Sequence, residues 1–249
     1  MSSWFDELIL RLKQISIFRL VFRIPGIAYV YHFSLAFLGA LIYSFPARRM
    51  FVIGVTGTKG KTTTCNLIAA MLEASGAKVG MTTTVSFKIG DKVWPNETKQ
   101  TVVGRFALQK LLKEMADADC RYAVIETSSE AILQHRHRFL NYKMAVFTNL
   151  SPEHIERHGS FGKYRDTKIK LFEAVAREKR GIGIYNLDDE AAKYFLEPPV
   201  ALKYGYAWKQ KQLPRGMRFV KAEDVKIWPS GTSFAANGRA YETPLIGEF

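Results

Sequence analysis

The run Gly57-Thr-Lys-Gly-Lys-Thr-Thr-Thr64 gathers two glycines, two lysines and four hydroxyls in one short stretch. That mixture suits the gripping of a polyphosphate. Glycines let the backbone come close to phosphate oxygens. Amides of the loop and of a following helix N-terminus face the anion. Lys61 supplies charge to the β- and γ-phosphates, and the Thr62 hydroxyl can ligate Mg2+. Gly57, Thr58, Lys59, Gly60 and Thr63 complete the candidate cradle. The general pattern wants one more glycine where Val55 stands, so the form here is T-G-T-x-G-K-T-T. Glu126 is the second candidate, closing the apolar run Arg121-Tyr-Ala-Val-Ile-Glu126. An acid at the C-terminal end of a parallel strand faces the ligand crevice of an open α/β sheet, where it can hold Mg2+. The competing reading is an acid that caps the next helix.

Three further groups carry chemical side chains. His154 and His158 stand four apart after the run Met144–Leu150. They would share one face of a helix, but no third soft ligand has supporting spacing, so a zinc site is not expected. Tyr164-Arg-Asp-Thr-Lys168 ends in a lysine that reads, by itself, as a helix-surface charge. Asn186-Leu-Asp-Asp189 closes another apolar run. An amide at Asn186 matches the donor–acceptor edge of adenine; an Asx turn with Asp188 as a helix N-cap fits equally well.

The elements that position these groups are readable. Phe51–Thr56 is a short β-branched run suited to a buried parallel strand. Cys65–Glu73 reads as a helix stopped at Ser75-Gly76. Val79–Val85, Arg121–Glu126, Met144–Leu150 and the run from Gly181 read as further strands, and Trp94–Thr101 as a loop. From Leu202 to Leu245, short alternating segments with turns at Trp228-Pro-Ser-Gly231 and Ala236-Asn-Gly238 predict a small antiparallel β-element. The expected fold is an α/β phosphate-loop domain with a mostly parallel sheet flanked by helices, preceded by a helical segment over residues 1–50.

That first segment stands apart. Ile27–Phe45 is almost wholly apolar, with His32 as its one ionisable side chain besides tyrosines. Arg11, Lys13, Arg19 and Arg23 precede it, and Arg48 and Arg49 follow. Upstream, Trp4, Leu8, Leu12, Ile15 and Phe18 suggest an amphipathic basic helix. Three readings stand: a helix packed on the following domain, an interfacial anchor on anionic lipid, or a transmembrane helix, for which basic flanks at both ends give no orientation. A spanning helix must leave residues 51 onward on the side that holds ATP. The expected compartment is the cytoplasm, with the inner face of the plasma membrane as the alternative.

Composition bounds the rest. Of 249 residues, 47% are hydrophobic and 24% charged, which excludes wholesale disorder. Cys65 and Cys120 are the only cysteines, too few for a disulfide framework, and both read as core thiols. The net charge of +13 attracts polyanions without choosing among them. No basic run reaches five residues and no nucleic-acid-binding pattern appears, so nucleic acid is not an expected partner.

Thr56–Thr64 resembles the phosphate-loop signature of the Mur ligase family, the ATP-dependent amide ligases of peptidoglycan precursor synthesis. The later segments most resemble the branch that adds the third residue of the stem peptide, over roughly residues 51 to 249. The resemblance implies ATP and Mg2+ as cofactors, with a UDP-muramoyl-peptide and an amino acid as substrates. It makes Glu126 the magnesium glutamate. It places Asn149 and His154 within a segment similar to Thr-Asn-Leu-x-x-Asp-His-Leu-Asp-x-His-Gly, here with Glu153 and Glu156 for the aspartates. His154 then binds a second Mg2+, an unusual nitrogen ligand for a hard cation. Tyr164 to Lys168 matches Tyr-x-x-x-Lys, whose lysine is carbamylated and so becomes an anion. Asn186 and Asp188 match N-x-D-D near adenine and ribose. Thr98, Thr101, Ser128 and Arg136 fall on substrate-facing segments, although Glu130-Ala131 replaces the usual His-Gly and Lys99-Gln100 interrupts the usual threonine pair. The family's N-terminal uridine-nucleotide domain is not recognisable in residues 1–50, and its C-terminal domain is missing. The expectation is therefore ATP binding with little or no ligation by this chain alone, the missing part coming from a longer parent or a partner chain. The alternatives are another ligase of the superfamily, folylpolyglutamate-synthase-like or acting on lipid-linked muramoyl groups, and a non-catalytic ATP-binding or scaffold subunit.

Overall fold

The structure, a computed structural model, describes residues 26–98, 100–153, 155–209 and 216–245. The amphipathic helix expected before residue 26 lies outside them. The fold is mixed α/β, on a mostly parallel sheet with antiparallel strands at its margins and helices against it. The chain divides into two compact units. One takes the described residues up to Gly54 together with Thr62–Asn141; the other takes Val55–Lys61 and Tyr142 onward.

In the first unit, α1 (Ile27–Ile42) precedes a 3-10 turn (Pro46–Arg49) and β1 (Phe51–Thr56), whose last two residues belong to the other unit. Then follow α2 (Lys61–Ala74), β2 (Val79–Thr82), β3 (Ser86–Ile89), β4 (Lys92–Pro95), α3 (Arg105–Asp117), β5 (Tyr122–Glu126) and α4 (Ser129–Leu133). β1 lies beside β5, β5 beside β2 in parallel, and β2–β3–β4 continue antiparallel. The hairpin of β3 and β4, turning at Gly90, was not expected: Trp94 and Pro95 belong to a strand, and the loop begins at Asn96. Both cysteines are buried thiols.

α1 packs against α3 rather than standing alone. Small residues make this possible: Ala36, Gly39 and Ala40 are buried, and a Cβ on Gly39 would lie 3.4 Å from the Arg105 carbonyl oxygen. Aromatic rings pin the helix further, with Phe33 and Phe37 edge-on to Phe139 at 5.4 and 5.5 Å between centroids. α1 is thus packed on the following residues of its own unit, as one of the three readings expects. At 16 residues it spans about 24 Å, short of a ~30 Å hydrocarbon core. Among the described residues no helix is long and apolar enough to cross a membrane.

In the second unit come β6 (Tyr142–Phe147), α5 (Ile155–His158), α6 (Phe161–Ala176), β7 (Ile182–Asn186), α7 (Ala192–Phe195), β8 (Leu202–Ala207), β9 (Arg218–Trp228), β10 (Gly231–Ala236) and β11 (Arg239–Thr243). β6, β7, β8 and β9 run parallel in that order, and β9–β10–β11 form an antiparallel meander. The small antiparallel element is therefore narrower than the predicted span from Leu202 to Leu245, because Leu202–Ala207 extends the parallel series. Arg218–Trp228 is one continuous strand of 11 residues. Asp224 takes a left-handed φ of 50° where the register with β10 shifts, a bulge within the strand.

Candidate functional site

The phosphate-type loop joins the buried end of β1 to α2. Gly57 has φ 150° and is buried, and a Cβ there would meet Thr148 Oγ1 at 1.9 Å and the Asn149 carbonyl oxygen at 2.9 Å. Only glycine fits that approach. Gly60 has φ 75° with nothing within 4 Å of its absent Cβ, so its need is conformational and the space before it is open.

Within the second unit, every carbonyl of the loop's first three residues is engaged. Lys168 Nζ donates to the Gly57 oxygen at 2.7 Å. Lys61 Nζ donates to the Thr58 oxygen at 2.8 Å. Thr148 Oγ1 and Asn149 Nδ2 both donate to the Lys59 oxygen, at 2.8 and 3.1 Å. Asn149 also accepts from the Lys59 amide at 2.9 Å through Oδ1. Thr58 Oγ1 accepts from the Ser151 amide at 2.9 Å and lies 3.3 Å from the Tyr164 hydroxyl. Burial raises the Tyr164 pKa above the ordinary tyrosine value, the Thr58 bond opposing it and the Glu153 charge adding to it.

Lys168 is not a surface charge. Tyr164, Lys168, Leu171, Phe172 and Val175 share the buried face of α6, and Lys168 is only 2% exposed. Its ammonium sits 4.7 Å from the centre of the Tyr164 ring, one helical turn back. Ser160 caps the helix by accepting from the Lys163 amide. His154 lies outside the described residues, so its expected part in the site stays with the resemblance.

Asn186 donates to the Thr148 carbonyl at 2.7 Å and accepts from the Asp188 amide at 3.1 Å, an Asx turn at the end of β7. The cap role predicted for Asp188 is not realised: α7 has Ala191 at its N-cap and no side-chain cap bond. Asp189 accepts from the amides of Ala191 and Leu150 at 2.8 and 2.7 Å, whereas Asp188 accepts from those of Trp208 and Lys209 at 2.6 and 2.9 Å.

Within the first unit, Glu126 is 3% exposed at the C-terminal end of β5. Its Oε2 accepts from Thr62 Oγ1 at 2.8 Å and from the Thr84 amide at 2.9 Å; its Oε1 accepts from Thr84 Oγ1 at 3.0 Å. Thr84 in turn reaches Thr101 Oγ1 at 3.1 Å. Thr84 was missed by sequence reasoning: its hydroxyl is one of several in Thr82-Thr-Thr84, and its partner lies 42 positions away. Two hydroxyls and a carboxylate are hard oxygen donors of the kind Mg2+ takes, and Glu126 here does not cap the following helix. Ser128 does, accepting from the Ala131 amide. Thr98 is bound locally, its hydroxyl donating to Asn96 Oδ1 at 2.6 Å. Thr63 is exposed on the first turn of α2. Arg136 is half-buried, with Nη1 on Gln100 Oε1 at 2.8 Å and Nη2 on Gln134 Oε1 at 2.7 Å.

The Mur ligase middle domain profile matches residues 55–249. The chain belongs to the Mur ligase family. The likeness of this Mur ligase domain to curated relatives is close: 39% identity over 213 residues to the UDP-N-acetylmuramyl-tripeptide synthetase of Roseiflexus sp. (strain RS-1), covering 81% of this chain and 41% of the relative. It is 34% identical over 226 residues to the UDP-N-acetylmuramoyl-L-alanyl-D-glutamate--2,6-diaminopimelate ligase of Geobacillus thermodenitrificans (strain NG80-2), covering 87% and 44%. A solved UDP-N-acetylmuramoyl-L-alanyl-D-glutamate--2,6-diaminopimelate ligase superposes with a TM-score of 0.68 at 26% identity, over 80% of this chain and 40% of the other. The Mycobacterium tuberculosis folylpolyglutamate synthase complexed with ADP shares the fold, with a TM-score of 0.61 at 15% identity over 84% of this chain and 52% of the other. This Mur ligase chain spans less than half the length of those curated relatives.

Proposed function

We propose that this chain is the ATP-handling part of a peptidoglycan-precursor amide ligase that extends a UDP-muramoyl-peptide by one amino acid. The observation that carries the reading is Glu126 hydrogen-bonded to Thr62, the residue after the loop lysine. In the reaction, a carboxylate oxygen of the acceptor attacks the γ-phosphorus of ATP, giving an acyl phosphate and ADP. The amine of the incoming amino acid then adds to the acyl carbon, and the tetrahedral intermediate expels phosphate as the amine loses its proton. Phosphorylation is needed because a carboxylate has no leaving group at neutral pH.

Lys61 leaves the Thr58 carbonyl to neutralise the β- and γ-oxygens, and the loop amides hold the chain of phosphates in line. Thr62 and Glu126 hold Mg2+, which supplies positive charge to the phosphoryl oxygens. Lys168, as its carbamate, and His154 hold a second ion. A carbamylated Nζ keeps one N–H, so the bond to the Gly57 carbonyl survives the modification. Asn186 and Asp188 flank the adenosine, and Thr101, Ser128 and Arg136 face the muramoyl-peptide, with Thr98 further along the same loop. Residues beyond this chain, in the same polypeptide or a partner chain, complete the amino-acid site.

The test is ADP release by the full-length parent with ATP and a UDP-muramoyl-dipeptide, with and without amino acids. Release that depends on both acceptor and amino acid supports the ligase. Release independent of both refutes it in favour of a plain ATPase.

A second reading concerns location. α1 leaves Tyr29, Val30, Leu38, Leu41 and Ile42 exposed, with Arg48 and Arg49 beyond its end. That face suits attachment to an anionic membrane surface. Flotation with vesicles containing phosphatidylglycerol, but not with neutral vesicles, is the expected result; no flotation with either would refute it.

A further inference from the structure

Arg105 and Arg136 converge on one residue. Arg105 donates through Nε and Nη2 to the Gln134 carbonyl oxygen at 3.1 and 2.9 Å, and Arg136 donates through Nε and Nη2 to the same glutamine's Oε1 at 3.1 and 2.7 Å. Both side chains are half-buried. Among the described residues all their acceptors are neutral: Gln134, Gln100, the Val102 carbonyl and His32 Nδ1. Elsewhere in the chain, half-buried cations do meet acids, as Lys88 meets Glu73 at 3.0 Å and Lys143 meets Glu178. Among the described residues neither Arg105 nor Arg136 has a carboxylate within ion-pair distance. Glu130 acts on Arg136 only through its field. Burial and the Arg136 charge lower the Arg105 pKa to about 10, as expected for a cation beside a like charge.

Holding two like charges together without an acid destabilises a fold unless an anion shares them. Arg105 Nη1 has no acceptor among the described residues, so one edge of its fork is available. α1 supports the arrangement: His32 accepts from Arg105 Nη2, and Gly39 of the same helix lies against the Arg105 backbone. One arginine matches a single carboxylate, whereas two adjacent guanidiniums match an oxyanion with two or more charges.

We propose that Arg105 and Arg136, with Arg105 oriented by His32 of α1, form an anion subsite for a diphosphate group of the acceptor substrate. The proposal rests on the reading above that Arg136 faces that substrate, and it adds Arg105 as a binding residue and His32 as a positioning residue. A diphosphate could reach the site on a soluble nucleotide-linked sugar or on a polyprenyl carrier in a membrane.

The test is calorimetric titration of the full chain with inorganic pyrophosphate, its phosphate loop first saturated with a non-hydrolysable ATP analogue and Mg2+. Arg105→Ala is expected to weaken pyrophosphate binding at least tenfold and to leave analogue binding unchanged. Arg105→Lys keeps the charge without the fork and is expected to lose several-fold. His32→Gln, which keeps an acceptor, should bind more tightly than His32→Ala; a merely structural histidine would not give that order. UDP and vesicles carrying a polyprenyl diphosphate then compete for the site, and displacement by one names the source. Displacement by neither overturns the assignment to the acceptor. Wild-type isotherms from both Arg105 variants overturn the subsite itself. If the analogue fails to bind, the ATP reading falls while the Arg105-dependent pyrophosphate isotherm is still measured.

Discussion

Replacing Glu126 by glutamine separates holding a metal from holding the fold. The wild-type carboxylate accepts three hydrogen bonds, from Thr62 Oγ1, the Thr84 amide and Thr84 Oγ1. Glutamine keeps the two at its oxygen, now to a neutral acceptor, at a loss of about 1 kcal/mol each. The third reverses: Thr84 accepts from the new amide and gives its proton to Thr101, 3.1 Å away. Removing a buried charge returns part of the loss, so the folding cost is about 1 kcal/mol net. Alanine deletes all three bonds and leaves a buried amide and hydroxyl facing a void, at a cost of about 3 kcal/mol or more. The metal sees a different change. Glutamine removes its one full negative ligand in this unit, and a charge-assisted interaction of about 1.5–3 kcal/mol corresponds to roughly tenfold to a hundredfold in affinity. Calorimetry with an ATP analogue, with and without Mg2+, alongside urea unfolding, reads both. Glu126→Gln should bind the metal-free analogue as wild type does and lose the gain that Mg2+ gives. If that gain survives intact, Glu126 is only a hydrogen-bond acceptor and the metal assignment is wrong.

Gly57→Ala should cost about 2–4 kcal/mol in urea unfolding, because its methyl would overlap Thr148 and the Asn149 backbone, whereas Gly60→Ala should cost about 1 kcal/mol for its φ alone. Equal losses would refute the close approach at Gly57. Tyr185 is fully buried and its hydroxyl has no hydrogen-bond partner among the described residues, and burial alone raises its pKa above the ordinary tyrosine value. Its folded-state pKa being raised, stability is complete below pH ~10 and falls by about 1.4 kcal/mol per pH unit above it. Tyr185→Phe should therefore raise stability by about 1 kcal/mol at neutral pH and shallow the alkaline decline, read by thermal unfolding from pH 7 to 11. Tyr206, raised by burial and then by Asp188 and Asp189, keeps the remainder of that decline.

The strand ends were legible because each is a continuous apolar run stopped by a polar residue. That pattern located Thr56, Glu126 and Asn186, and with them the loop and the carboxylate. Lys168 was harder. Its burial follows from sharing a helix face with Tyr164, Leu171, Phe172 and Val175, yet a lysine read alone looks solvated. Thr84 and Arg105 were invisible because their roles come from partners 42 and 29 positions away, and hydroxyl or guanidinium chemistry carries no local periodicity. The β3–β4 hairpin turns on Gly90-Asp91, a two-residue signal present in the sequence, but its strands are only four residues each and carry Lys88 and Lys92, so no long apolar run marked them. Leu202–Ala207 was misgrouped because alternation marks a half-buried strand without giving its direction, and here its neighbours Ile182–Asn186 and Arg218–Trp228 are parallel.

An anion site built from backbone must turn its carbonyls away from the ligand, since an oxygen facing phosphate repels it. The loop meets this condition with two cations, a hydroxyl and a side-chain amide: Lys168 on Gly57, Lys61 on Thr58, and Thr148 and Asn149 on Lys59. Lys61 can leave for the phosphates and release one carbonyl, but Lys168 is buried and anchors the turn at its base. Two roles for Lys168 therefore separate by experiment. Removing CO2 and bicarbonate abolishes a carbamate but leaves the amine on Gly57, so analogue binding without Mg2+ should hold while the gain from Mg2+ shrinks. Lys168→Met removes the anchor as well, and metal-free binding should weaken by roughly tenfold, the loss of one bond to a charged donor of about 1.5 kcal/mol. If Lys168→Met behaves like CO2-depleted wild type, the Gly57 bond contributes nothing and the carbamate alone matters. If CO2 depletion changes nothing while Lys168→Met weakens binding, the lysine acts as the cation seen here, and the carbamate carried over from the family resemblance is refuted.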